Sequence, residues 1–133
     1  MANRSWVVTP EELQRGELFQ VGWYPAEIVK YEDGEAGERA KNPGSATANF
    51  TWKILDGPGK GVEIRRTFSE TAWQFAKTFF AAIGFPKDEK GNYKISSDLF
   101  QQTVGHRLEV YVGRRKADDG NEYSDIKDFR PIR

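Results

Sequence analysis

The stretch Asn49–Phe85, NFTWKILDGPGKGVEIRRTFSETAWQFAKTFFAAIGF, reads as strand, tight turn, strand and a helix closed by glycine. Phe50, Trp52 and Ile54 alternate with Thr51, Lys53 and Leu55, the period-2 pattern of a half-buried strand. That phase sends Trp52 inward. Asp56–Gly61, DGPGKG, breaks the alternation with residues that supply turn geometry. Val62, Ile64 and Phe68 resume it, leaving Glu63, Arg65 and Thr67 on the other face. Ser69 is the expected N-cap of the helix, and Glu70 suits the positive end of its dipole. Ala72, Phe75, Ala76, Phe79 and Ile83 follow the spacing of a buried stripe. Gly84 can take the left-handed conformation that ends a helix, Phe85 can pack back over the last turn, and Pro86 prevents continuation.

Working outward, Leu18–Glu32, LFQVGWYPAEIVKYE, forms the first strand pattern. Tyr24, Ala26 and Ile28 share one face, and Trp23, Glu27, Val29 and Tyr31 the other. Pro25 has no N–H for a ladder and predicts an edge position or a bulge. Residues 33–47 form a polar loop with three glycines and a proline, long for a hairpin connection. After the helix, residues 87–104 are a polar connection in which Leu99 and Phe100 anchor a short helical turn. His106–Arg115 is the fourth strand, with Leu108, Val110 and Val112 facing in and Tyr111 facing out. An Asp-Gly turn at 117–121 leads to the fifth strand, Glu122–Phe129. The order β-β-β-α-β-β predicts an all-β chain with one helix, the five-stranded OB barrel, a fold that often holds single-stranded nucleic acid. Residues 18–133 form that domain and residues 1–17 an N-terminal extension. In the extension Thr9-Pro10-Glu11-Glu12 resembles a helix start, and Trp6-Val7-Val8 is expected to tuck against the domain.

A chain of 133 residues has the length of one domain with a real core. Twenty basic and twenty acidic residues cancel, so the distribution of charge matters more than its total. The absence of cysteine removes disulfides, thiolate nucleophiles and cysteine-based zinc sites, and suits a reducing cytosol. Asn3-Arg4-Ser5 and Asn49-Phe50-Thr51 match the glycosylation sequon, but the second lies inside a strand. The N-terminus lacks an apolar signal region and no run approaches membrane-spanning length, so a soluble, intracellular, cytoplasmic protein is expected. Nine Phe, five Tyr and four Trp make 14% of the chain. Core packing absorbs many aromatics in a small barrel, and outward ones are base-stacking platforms in waiting.

Sites of familiar chemistry fail on spacing. Gly57-Pro58-Gly59-Lys60-Gly61 lacks the four-residue gap of a phosphate loop and no Ser or Thr follows its lysine. Asp118-Asp119-Gly120-Asn121-Glu122 resembles part of a calcium loop, but the register puts Arg115 where the first acidic ligand belongs. His106 is the sole histidine, with no nucleophile elbow or metal motif to accompany it. Neither an enzyme nor a metal or other cofactor is expected.

Basic residues carry the functional reading. Lys53 lies on the second strand, Arg65 and Arg66 on the third, and Arg107, Arg114, Arg115 and Lys116 on the fourth strand and its turn. Arg39 and Lys41 sit in the first loop. In an OB barrel the strand 2–3 face and the loops joining strands 1–2 and 4–5 build the groove, so these residues are expected to converge there. Arg and Lys would neutralise phosphates and Tyr111 and Tyr123 would stack bases. The competing reading is an ordinary solvated face.

Three segments are similar to small bacteriophage replication and recombination proteins: GWYPAEIV at Gly22–Val29, LDGPGKG at Leu55–Gly61 and VGHRLEVYV at Val104–Val112. The resemblance covers residues 18–132 and implies a phage OB-type single-stranded DNA-binding protein. Such a protein protects exposed strands in replication, recombination or repair, and works with replication or recombination proteins or as a homo-oligomer in the host cytoplasm. The chain ends Phe129-Arg130-Pro131-Ile132-Arg133 rather than in the acidic tail with which many bacterial single-strand binders recruit partners. The alternative is a protein-interaction OB module, a replication accessory or virion-assembly factor whose aromatics bury against a partner.

Overall fold

A computed structural model describes residues 3–8, 20–38, 40–57, 59–116, 118 and 120–132. Five strands form one antiparallel sheet: β1 (Gly22–Glu35), β2 (Ala46–Ile54), β3 (Glu63–Ser69), β4 (Arg107–Lys116) and β5 (Glu122–Arg130). Their order in space is β3-β2-β1-β4-β5. Between β3 and β4 run a 3-10 turn (Trp73–Ala76), helix α1 (Lys77–Ile83) and helix α2 (Ser97–Gln102). The protein is thus mostly β, with two short helices where one was expected. Among the described residues no ladder joins the edge strands β3 and β5, so the sheet is not a closed ring. The two edges nonetheless approach one another, and Phe68 of β3 meets Phe129 of β5 at 6.1 Å between ring centroids.

The alternation in β2, β3 and β4 is realised as read. Phe50, Trp52 and Ile54, then Ile64 and Phe68, then Leu108, Val110 and Val112 are buried. Trp52 packs its rings at 5.5 Å from Phe79 and 5.1 Å from Phe129. Phe50 meets Tyr31, Phe68, Phe79 and Phe100 at 4.9–6.0 Å. Phe79 of α1 thus joins both halves of the core, and α1 lies across the opening between β3 and β5. Gly84 closes α1 at φ 83°, a left-handed conformation, and Phe85 folds back so that its N–H reaches the Phe80 carbonyl at 3.2 Å.

Strand β1 departs from its sequence reading in three ways. It begins at Gly22 and runs on to Glu35, which shortens the first loop to residues 36–45. It is the central strand, so Pro25 is not at an edge. The proline is tolerated because its carbonyl accepts from Leu55 N at 2.9 Å: a strand residue's nitrogen faces the same neighbour as its oxygen, so the missing donor falls past the end of β2. The bulge comes four residues later. Ile28 pairs with Trp52 but Lys30 with Thr51, leaving Val29 as an extra residue. Every side chain beyond it changes face, and Tyr31, expected outside, is buried against Phe50 and Phe100.

The helix also starts later than Ser69 and Glu70 indicate. Ser69 ends β3, paired with Thr47, and its hydroxyl accepts from Thr71 N in a local turn, while the Glu70 carboxylate accepts from Ala46 N at 2.9 Å. The 3-10 turn therefore begins at Trp73, rotating the expected stripe: Ala76, Phe79 and Phe80 are buried, but Phe75 is 64% exposed. Trp6, Val7 and Val8 do not tuck against the domain and stand exposed, and the helix start read at 9–12 lies outside the described residues. Asn49 is buried and donates to the Glu32 carbonyl and Thr47 hydroxyl while accepting from Thr67, which leaves no room for a glycan. Among the described residues no helix is long and apolar enough to cross a membrane.

Trp52→Ala should cost about 3–5 kcal/mol, since the site is closed in by rings that cannot collapse into the void. Urea denaturation is the measurement. A loss below about 0.5 kcal/mol, the scale of a surface substitution, would contradict the packing described.

Candidate nucleic-acid interface

The outward face of β1, β4 and β5 carries an aromatic and guanidinium cluster. The β1–β4 register sets Trp23 opposite Tyr111, and their rings meet edge-on at 5.4 Å and 67°. Arg130 of β5 lies opposite Glu109. Its Nε donates to Glu109 Oε1 at 3.0 Å while its guanidinium carbon sits 4.0 Å from the Trp23 ring centre. Trp23 and Tyr111 are half-buried. Neither Trp23 nor Arg130 was among the site residues read from sequence. The signal for Trp23 was present: it has the phase opposite to Tyr24, Ala26 and Ile28. The signal for its neighbours was not, because register between β1 and β4 is set by long-range pairing.

A second row crosses the sheet as Glu63, Lys53, Glu27 and Arg107, alternating in charge along β3, β2, β1 and β4. Arg107 Nε donates to Glu27 Oε1 at 3.1 Å. Lys53 is exposed between two acids. Arg65 shares the outward face opposite Thr51 and is also exposed. Arg66 does not join it. It is half-buried with the opposite phase, its guanidinium 5.1 Å from the Phe68 ring centre and donating to the Thr67 carbonyl.

The hairpin end of β4 and β5 holds the third group. Arg115 faces outward with Tyr123, its guanidinium 5.8 Å from that ring and its Nε 3.9 Å from Asp125. Arg114 lies 4.0 Å from Glu122, and Lys116 is exposed opposite Glu122. Lys127, the extra residue of a bulge in β5, reaches Asp125 at 3.5 Å and lies across Gly113, where an added Cβ would meet its stem at 2.9 Å. Lys41 is exposed in the loop 36–45, which is held by Ala36 N to Ser45 O at 2.8 Å and Gly44 N to Ala36 O at 3.0 Å. Arg39 lies outside the described residues.

The expected basic residues are therefore spread rather than gathered. Since β1 pairs with β4 through Gly22–Glu27 and with β2 through Ala26–Glu35, the β4–β5 hairpin and the β1–β2 loop belong to opposite ends of β1. Arg107, Arg114 and Arg115 each have a carboxylate within 4.0 Å. Such exposed pairs are worth about 0–1 kcal/mol, so an incoming phosphate exchanges partners at small cost. His106 is exposed at the start of β4. Among the described residues, no group of three or more His, Cys, Asp or Glu side chains is arranged to hold a metal ion.

Two displaced ionisations, those of Tyr31 and Asp33, lie on the other side of the sheet. Burial pushes the Tyr31 hydroxyl up to about 12, and its hydrogen bond to Asp33 at 2.5 Å acts in the same direction. The Asp33 carboxyl is held below its ordinary value by the Ser97 hydroxyl at 2.6 Å and by Tyr31. A tyrosine in the unfolded chain ionises near pH 10, roughly, so the unfolded state releases its proton first. The Tyr31 contribution to stability is then intact below about pH 10 and is lost as pH rises towards 12. Phenolate absorbance should show a step at about pH 12 that Tyr31→Phe abolishes; a titration unchanged by that substitution would refute the assignment.

A family model described as "Protein of unknown function (DUF669)" matches residues 8–133, nearly the whole chain. No curated protein matches it.

Proposed function

This chain belongs to the DUF669 family, and we propose that it is an OB-type protein that binds single-stranded DNA without reading its sequence. The observation that carries the reading is the outward cluster of Trp23, Tyr111 and Arg130, flanked by the exposed cations Lys53 and Arg65 and by Arg107. Rings on a sheet face offer stacking surfaces to any base, because every base has a π-face. Guanidinium groups both stack and pair with phosphate. A duplex hides its base faces, so only an unpaired strand gains from the rings.

The strand order supports the fold half of the proposal. Reading β3-β2-β1-β4-β5 as a ring unzipped between β3 and β5, with Phe68 facing Phe129 across the gap, gives a partly open barrel of OB type. The resemblance of Gly22–Val29, Leu55–Gly61 and Val104–Val112 to phage proteins supports protection of exposed strands during phage replication, recombination or repair. The protein would work without metal or cofactor. The rival reading, a protein-interaction module, has one observation in its favour: Phe75 stands 64% exposed on the 3-10 turn.

Fluorescence anisotropy with labelled oligo-dT and a matching duplex, each at two salt concentrations, tests the proposal. The single strand should bind at least tenfold, roughly 1.4 kcal/mol, more tightly at both. Equal affinity for the two forms would sink it in favour of a general polyanion surface. Tyr111→Ala should lose about 1–3 kcal/mol of binding with an unchanged salt slope, because stacking releases no counterions. An unchanged affinity, with or without a lowered melting temperature, would make the ring structural.

The cations give a separate expectation. Lys53→Ala and Arg65→Ala should each reduce the salt slope by about 0.7, the single-strand value for one lost phosphate contact. Alanine at Arg114, Arg115 and Lys116 together should weaken binding to all sequences alike. If that triple variant binds oligo-dT normally, the hairpin end lies outside the site.

A further inference from the structure

Behind the sheet, where β1 and β2 meet the 3-10 turn and the segment leading into α2, lies a cleft of about 280 Å³. Its floor is apolar, formed by Ala48, Ile95 and Phe100, and one wall is the half-buried Trp73 ring, fixed at 6.0 Å from both Phe80 and Phe100. Two carboxylates stand at its rim, Asp33 and Glu70. Each is anchored through one oxygen to neutral donors. Asp33 Oδ1 accepts from the Tyr31 and Ser97 hydroxyls, and Glu70 Oε1 from the backbone of Ala46. Neutral donors orient a carboxylate without cancelling its charge. Among the described residues neither Asp33 Oδ2 nor Glu70 Oε2 has a hydrogen-bond partner, and no lysine or arginine lines the cleft or its shallower extension past Glu32, Asp98 and Gln101.

This combination selects among ligands. An anion such as a phosphate backbone would meet two uncompensated carboxylates, so the cleft is no part of the nucleic-acid site. A hard divalent cation wants six or more oxygens, roughly, several of them carboxylate, and among the described residues no three His, Cys, Asp or Glu side chains are grouped to hold one. An organic cation satisfies every surface: its charge reaches Asp33 and Glu70, the face of Trp73 attracts it through the ring quadrupole, and an apolar stem covers Ile95 and Phe100. We propose that this cleft binds an ammonium or guanidinium head carried on an apolar stem. The inference does not depend on the nucleic-acid reading, and either can fail alone.

Amide-proton and nitrogen NMR titrations test it with three probes. Agmatine supplies the group as a free small molecule, N-acetyl-Gly-Arg-Gly-amide supplies it as a peptide side chain, and the citrulline version of that peptide is a neutral isostere. The charged probes should shift Thr47, Ser96, Ser97 and the Trp73 indole saturably below about 10 mM, as suits a ligand of few atoms. Citrulline should bind at least tenfold more weakly. Agmatine binding without the peptide identifies a free metabolite as the ligand class, whereas equal or tighter peptide binding identifies a partner's basic side chain. Asp33→Asn with Glu70→Gln keeps the anchoring oxygens and removes the charge, and should weaken agmatine at least tenfold while leaving oligo-dT binding unchanged. Absent or scattered shifts, citrulline binding as well as arginine, or an undiminished double variant would each overturn the proposal. The citrulline comparison uses the unaltered protein, so it decides even if the double variant fails to fold.

Discussion

Strand β1 is paired along both edges, with β4 through its first six residues and with β2 from Ala26 onward. Among the described residues, no other strand is hydrogen-bonded to both halves of the sheet. A strand serving two neighbours at staggered positions has to twist sharply where the responsibilities change, and the extra residue Val29 supplies that twist. The backbone bonds at this point are made outside the ladder: Ile28 N donates to the His106 carbonyl at 3.0 Å, and Ile28 O accepts from Gly105 N at 2.7 Å. Gly105, at φ 97°, can turn into that position where a residue with a Cβ would be strained.

The phase change at Val29 decides which face each half of β1 serves. Before it, β1 gives Tyr24, Ala26 and Ile28 to the core and Trp23 and Glu27 to the outward face. After it, Tyr31 and Asp33 turn to the α2 side, where Tyr31 joins Phe50 and Phe100 and its hydroxyl fixes Asp33. The aromatic–guanidinium cluster and the acidic cleft thus lie on opposite sides of the sheet because one residue was inserted. The outward face pairs its arginines with carboxylates, whereas Asp33 and Glu70 on the cleft side are held by neutral donors, so a chain of zero net charge presents two distinct surfaces.

Strand phases were legible in the sequence because alternation is local: each of Phe50, Trp52, Ile54, Leu108, Val110 and Val112 is apolar beside a polar or outward neighbour. The αL stop at Gly84 was equally legible, since the residue's conformational freedom and the proline behind it act within one turn. The place of the bulge was not, because Val29 is a good strand residue in either phase and only the pairing of Ile28 with Trp52 and Lys30 with Thr51 reveals which residue is surplus. The helix start misled for a related reason. Ser69 and Glu70 have cap chemistry, but their oxygens are used by Thr71 and Ala46, so tertiary bonding outcompeted the local signal. Among site residues, Arg65 and Arg66 could be told apart by parity alone, whereas Arg130 over Trp23 joins positions more than a hundred apart in sequence and depends on three strands meeting.

The seam between β3 and β5 has a mechanical meaning. Elsewhere the sheet is sewn by ladders, whose bonds must be broken together, but here rings and the underside of α1 hold two edges that carry unused backbone donors and acceptors. Forces applied to the termini of β5 and β3 would therefore part the molecule along this line before any other. An extended segment of a second chain, offering its own N–H and C=O groups, would find there a slot already framed by strands on either side. The seam is thus both the most yielding line of the domain and the place where two copies at high concentration would exchange partners.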